Sequence, residues 1–164
     1  MLELRPVPYD HPDAVQLTER AQDYYVELYG GPDEDPLTAA ELSSPHGGFV
    51  VGYLDDEPVA MGGWVFTSNP LGDRIGQLRR MFVDSGLRRR GYAASVLGRL
   101  EADAAAHGAT MIILATGAPQ QAAIAFYRRH GYVDIAPFGY YAEAGLVVCL
   151  GKDLRAAGDG ELTS

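Results

Sequence analysis

Leu2, Leu4 and Val7 alternate with polar residues, a pattern that predicts an opening strand. Asp10 then stands where a helix cap is wanted, and Pro12 suits a first turn. Val15, Leu17, Ala21, Tyr24, Tyr25 and Leu28 follow at helical spacing until Gly30-Gly31-Pro32 stops the run. The acidic stretch Asp33-Glu34-Asp35-Pro36 reads as a loop. Thr38 and Glu41 have the spacing of a capping box, which predicts a second, short helix. Gly48 to Leu54 and Pro58 to Phe66 form a predicted hairpin turning at Asp55-Asp56-Glu57. Gly62 and Gly63 interrupt its second strand and point to a bulge or to close approach by another group. Asn69-Pro70-Leu71-Gly72-Asp73 reads as a loop.

Ile75 to Val83 is a strand with a fault in its phase. Leu78 sets one alternation, but Met81-Phe82-Val83 run together, and a bulge near Arg80 to Phe82 reconciles the two. An amphipathic helix follows, with Ala93, Val96, Leu97, Leu100 and Ala104 on one face and His107-Gly108 at its end. Thr110 to Ala115 is a wholly apolar strand of the kind found at a sheet's centre. Gln120 to His130 is a further helix, with Ala123, Ile124 and Tyr127 inward. Tyr132 to Ile135 and Gly145 to Leu150 are two closing strands. The order βααβββαβαββ predicts an α/β sandwich around a mixed sheet. A single domain is expected over residues 1–154, with a disordered tail at 155–164.

With 164 residues, the chain is long enough to bury a core, and its one cysteine excludes a disulfide framework or a multi-cysteine metal site. No apolar run is long enough to span a membrane, and the start resembles no signal peptide, so a cytoplasmic protein is expected. The formal net charge is −9, which argues against general nucleic-acid binding. The charge is unevenly spread. Arg74, Arg79, Arg80, Arg88, Arg89, Arg90 and Arg99 face only Asp84 within their window, a net of +6, and the remainder carries −15. One basic segment in an acidic chain suggests a specific anion site.

That segment contains a local contradiction. Arg88, Arg89 and Arg90 stand at the start of a helix, where the dipole disfavours cations. The same position offers free backbone N–H groups, and Gly91 and Ala93 leave it uncrowded. Dipole, N–H groups and guanidinium groups together make a phosphate site. The alternative is a solvated arginine face beside a plain turn. Neither the P-loop pattern nor a dinucleotide-binding Gly-x-Gly-x-x-Gly is present.

Arg88, Gly91 and Ala93 do spell Arg-x-x-Gly-x-Ala after a bulged strand. This resembles the pyrophosphate motif of the Gcn5-related N-acetyltransferases (GNAT superfamily), Gln/Arg-x-x-Gly-x-Gly/Ala. Gln120 with Ala123-Ile124-Ala125-Phe126-Tyr127-Arg128-Arg129-His130-Gly131-Tyr132 resembles the family's later segment. Pro137-Phe138-Gly139-Tyr140-Tyr141 is similar to a stretch in a small-molecule branch. The resemblance covers Ile75 to Leu154 and implies about seven strands splayed between the fourth and fifth.

It also implies roles. The main chain of Arg89, Arg90, Gly91, Tyr92, Ala93 and Ala94 would cradle the pyrophosphate of acetyl-CoA, with charge added by Arg88 and its neighbours. The edge at Met81, Phe82 and Val83 would pair with the pantetheine arm, and Gln120 would add to the cofactor site. Tyr127 would protonate the departing thiolate. Read without the family, Tyr127 is a core tyrosine. The implied reaction is direct attack of a small molecule's primary amine on the thioester, without a metal. The expected partners are that acceptor and, through an exposed edge strand, a second copy of the chain; neither nucleic acid nor a membrane is expected.

The base that takes the amine's proton is left open among Glu27, Asp84, Glu143 and the Tyr140/Tyr141 pair. The glutamate that many relatives place in the fifth strand is replaced by Ala115. A non-catalytic module that senses acyl-CoA or binds a protein on the same fold is therefore the second reading, and an arginine-based nucleic-acid domain the third. Trp64, Tyr24, Tyr25 and Tyr29 are candidates for pocket wall or core, Cys149 for a buried apolar residue, and His107 and His130 for helix ends. The histidines show no metal-binding spacing.

Overall fold

The computed structural model describes residues 2–29, 37–69, 72–87, 90–117, 119–138 and 147–155. In chain order it contains β1 (Glu3–Pro6), α1 (Pro12–Tyr29), β2 (Gly47–Leu54), β3 (Glu57–Asn69), β4 (Gly72–Val83), α2 (Tyr92–Ala106), β5 (Met111–Gly117), α3 (Gln121–Arg129), β6 (Val133–Asp134) and β7 (Val147–Asp153). A 3-10 turn at Ser85–Leu87 lies between β4 and α2. The strands form one mixed sheet in the order β1-β2-β3-β4-β5-β7-β6. Among the described residues only β4 and β5 pair in parallel, and their register holds three pairs, from Ile75↔Met111 to Gln77↔Ile113. Beyond it β4 continues to Val83 and β5 to Gly117, so the sheet splays at the expected place.

Two apolar layers sandwich the sheet. Ala14, Leu17 and Ala21 of α1 pack on Phe49, Val51, Met61, Val65 and Phe82. On the other face Val96, Leu97, Leu100 and Ala104 of α2 join Ala60, Trp64, Leu78, Ile112, Leu150, Tyr127 and Tyr132. β2 and β3 are covered on both faces, which explains their nearly unbroken apolar runs. Their hairpin turns through Asp55 and Asp56, both left-handed (φ 50° and 66°), the twist that a two-residue turn requires.

The phase fault in β4 is a bulge. Between the pairs Gly63↔Arg79 and Met61↔Phe82, β3 has only Gly62 where β4 has Arg80 and Met81. Arg80 takes φ +59°, unusual for a side-chain-bearing residue. Gly62 opposite is required by space. A Cβ there would lie 2.7 Å from Met81 Sδ and 2.9 Å from both Val96 Cγ1 and Leu100 Cδ1. Bulge and close approach thus occur at the same point.

Three expectations need correction. The capping box at Thr38 forms its bonds, Thr38 N to Glu41 Oε1 (3.1 Å) and Glu41 N to Thr38 Oγ1 (3.3 Å), but closes turns rather than a helix. Pro45 disfavours helical geometry at Ser44, and the chain enters β2 at Gly47, leaving too few residues to propagate one. The order is therefore βαβββαβαββ among the described residues. The segment 69–73 is less of a loop than expected, because β3 and β4 extend into it and pair at Asn69↔Gly72. β7 runs three residues past Leu150, its ladder with β5 reaching Asp153↔Met111. The expected tail lies outside the described residues from position 156 onward.

Candidate active site

The start of α2 is open. Gly91 caps it in the left-handed conformation (φ 82°, ψ 5°), with no side chain bonded into the cap. A Cβ at Gly91 would meet nothing within 4 Å, so backbone conformation rather than crowding calls for glycine there. Helix geometry gives the N–H groups of Tyr92, Ala93 and Ala94 no partner within the helix and concentrates partial positive charge beside them. Arg90 is exposed at this end. Arg88 and Arg89 lie outside the described residues.

The splay begins one bulge away. Met81 packs toward α2, and Phe82 and Val83 are buried on opposite faces of the sheet. Their side chains belong to the core, so only main-chain groups of this segment can serve a ligand. β4 carries them past the last rung of its ladder with β5.

Tyr127 stands on α3 and is 8% exposed. Its ring meets that of Tyr132 edge-on at 5.6 Å and that of Phe126 at 5.2 Å. Burial pushes its phenol well above the usual range, and Tyr25 of α1 adds to the rise. A phenol in this state keeps its proton at neutral pH. Gln120 is half-buried and occupies the cap position before α3.

The candidate bases separate. Asp84 is held by Arg20 of α1 at 2.7 Å, so its carboxylate is committed to tying α1 to the end of β4. Glu27 is exposed on α1. Glu143, Tyr140 and Tyr141 lie outside the described residues, as does Gly139 of the Pro-Phe-Gly stretch. Ala115 pairs with Cys149, which is buried and free.

Trp64 belongs to the core rather than to a pocket wall. It is fully buried, and its indole N–H donates to Asp103 Oδ2 of α2 (2.7 Å). His107 and His130 occupy the C-caps of α2 and α3. The sequence placed Arg80 at the bulge without a partner and left Glu101 unmarked: Arg80 Nε donates to Tyr9 Oη at 3.0 Å beside the bulge, and Glu101 accepts from Tyr132 and Lys152. The phase fault pointed to the first; no local pattern marks the second. Among the described residues, no helix is long and apolar enough to cross a membrane.

Comparison with known proteins gives a consistent picture. Residues 14–132 match the model of the Acetyltransferase (GNAT) family. The "IAA acetyltransferase" of Azospirillum brasilense is 31% identical over 140 residues, covering 85% of this chain and 90% of that protein. A Klebsiella pneumoniae protein described as an acyl-CoA N-acyltransferase superposes with TM-score 0.77 at 24% identity, covering 94% of this chain and 98% of the other. The PaiA N-acetyltransferase of Thermoplasma acidophilum, solved with coenzyme A, gives 0.70 at 13% identity over 93% and 99%. A bulged and splayed mixed sheet, an open helix start beside it and this match over most of the sequence identify the chain as a member of the GNAT acetyltransferase family.

Proposed function

We propose that this protein is an acetyl-CoA-dependent N-acetyltransferase that acetylates a primary amine of a small molecule by direct attack. The observation that carries the reading is the gap between β4 and β5, with the open start of α2 at the end of β4 and the buried phenol of Tyr127 on the far half of the sheet. Coenzyme A in the PaiA structure and the acetyltransferase name of the Azospirillum relative support it.

In this reading the main chain from Arg89 to Ala94 receives the pyrophosphate, with Arg88 and Arg90 adding charge. Main-chain groups of Met81, Phe82 and Val83 hold the pantetheine arm as an added strand would be held, and Gln120 lies beside the arm's far end. The amine nitrogen attacks the thioester carbonyl, forming the C–N bond. The tetrahedral adduct collapses, breaking the C–S bond; the thiolate takes the Tyr127 phenolic proton, and the proton shed by the newly acylated nitrogen restores the phenol by way of solvent. An alkylammonium must first lose a proton to solvent or a base, at a cost of about 4.6 kcal/mol at neutral pH. With Asp84 bound to Arg20 and Ala115 in the fifth strand, we assign no base.

Tyr127→Phe tests the assignment. It should lower kcat on the order of 100-fold, with KM for acetyl-CoA unchanged. Full turnover would remove the acid role. Thiol release from acetyl-CoA, assayed with a panel of primary amines and with IAA, tests the activity itself. Binding of acetyl-CoA without release under any acceptor would favour the sensing module, the reading that Ala115 keeps in view.

A further inference from the structure

The two halves of the sheet are joined edge to edge by only three pairs of residues, so something else must hold them at a fixed separation. Strands β1 to β4 carry the main-chain seat, and α2 packs chiefly on them while its apolar face also reaches the second half. Its Val96 and Leu100 press on Gly62, and its Asp103 accepts from Trp64. Strands β5 to β7, with α3, carry Tyr127. From α2, Glu101 reaches across to the second half with both carboxylate oxygens. Oε2 accepts from the Tyr132 hydroxyl at 2.7 Å. Lys152 Nζ on β7 donates to Oε1 at 3.2 Å and Oε2 at 3.3 Å. The ion pair is largely shielded, its side chains 22% and 17% exposed, and Tyr132 is 2% exposed. Lys152 Nζ also lies 5.8 Å from the centre of the Tyr132 ring, and its stem runs past Gly131. The Tyr132 ring in turn sets its edge against Tyr127 at 5.6 Å and 65°.

We propose that Glu101 is a positioning residue that, through Tyr132 and Lys152, fixes the ring of Tyr127 at a set distance from the main-chain cradle on β4. The assignment rests on the proposed acid role of Tyr127. The logic is geometric. Glu101 is on the helix bound to the cradle's half, and both of its partners are on the acid's half. Two partners on one carboxylate fix its rotamer, and the Tyr132 ring carries that constraint to Tyr127. A phenol that must reach one sulfur atom is sensitive to displacements of an ångström.

Tyr132→Phe removes one hydroxyl and keeps the ring, and Glu101→Ala removes the node. Each is to be measured for kcat and for KM of acetyl-CoA, alone and combined with Tyr127→Phe, with thermal melting as the check on folding. Each single variant should lose roughly 5- to 10-fold in kcat with KM for acetyl-CoA unchanged. In the Tyr127→Phe background the same changes should cost nothing further, because the group they position is gone. If Glu101→Ala fails to fold, Tyr132→Phe decides alone. An equal loss in both backgrounds, or no loss when Tyr127 is intact, overturns the positioning role while leaving Tyr127 as the acid. Full turnover of Tyr127→Phe itself overturns the acid reading and this one with it.

Discussion

The two halves of the sheet are built by different means. Strands β1 to β4 form an antiparallel stack whose distinctive positions are glycines and a bulge, and what it offers a ligand is main chain. Strands β5 to β7, with α3, offer side chains, among them two buried phenols and Lys152. Where the halves meet, the ladder closes after three rungs. The bulge at Arg80 and Met81 bends β4 as it leaves the seam, and α2 spans the seam to cover both sides. This division leads us to expect that damage to the first half alters binding and stability, whereas damage to the second alters turnover.

The harshest test of the first half is Gly62→Val. Its Cβ would press on Met81, Val96 and Leu100 where bulge and helix meet. Overpacking of this kind costs about 1–3 kcal/mol, and here both the strand and the helix must give way. A urea melt should show the loss, and cofactor affinity should fall with it. An unchanged midpoint would mean that α2 can shift freely over the bulge, contrary to a rigid first half.

A milder change separates seat from scaffold. Gly91→Glu enters open space, so it should leave the melt nearly untouched apart from the strain of a left-handed glutamate. It puts a negative charge where phosphates are expected, and KM for acetyl-CoA should rise on the order of 10-fold or more, about 1.4 kcal/mol. The reference KM should also rise with ionic strength, and the variant's should rise less steeply. Unchanged affinity for acetyl-CoA would remove the pyrophosphate seat from the start of α2.

The two halves also differed in how far the sequence revealed them. In the first, Leu78 against Met81-Phe82-Val83 exposed the bulge, and Gly62 with Gly63 pointed to a bulge or a close approach by some other group, which at Gly62 is α2. Local periodicity encodes both, because a bulge must shift the alternation by one residue. The same local logic marked the capping box at Thr38 but overran, since bonds within one turn say nothing about whether a helix propagates. The seam itself was visible only through resemblance to a family, for a sheet's opening leaves no periodic trace. Pairs distant in sequence left none either: Arg20 with Asp84, Trp64 with Asp103, and Glu101 with Tyr132 and Lys152. On the sequence Tyr127 stood as the acid through resemblance to a family and Asp84 as one of several open bases, and it took packing to bury the first and bind the second to an arginine.

The smallest effect sharpens the contrast between halves through pH. Among the described residues three phenols are raised by burial: Tyr53 on β2, pushed up to about 12 with Asp13 accepting a hydrogen bond from its hydroxyl, and Tyr127 and Tyr132 in the second half, higher still. A folded-state pKa above the unfolded value means that the folded protein retains protons the unfolded chain gives up. The stability these groups support is complete below about pH 10 and declines as pH rises beyond it. Each such phenol should contribute a loss of about 1 kcal/mol by roughly pH 11. Tyr53→Phe should therefore remove about 1 kcal/mol of that alkaline loss while the slope owed to the second half persists; denaturant midpoints taken from about pH 8 to 11 would show it. Over the same range the activity of the intact protein should rise toward the amine's own pKa, with no alkaline fall from Tyr127, because its phenol holds its proton throughout. If Tyr53→Phe abolished the whole alkaline loss, the buried phenols of the second half would be open to solvent, and the proposed role of Tyr127 as a shielded acid would have no structural basis.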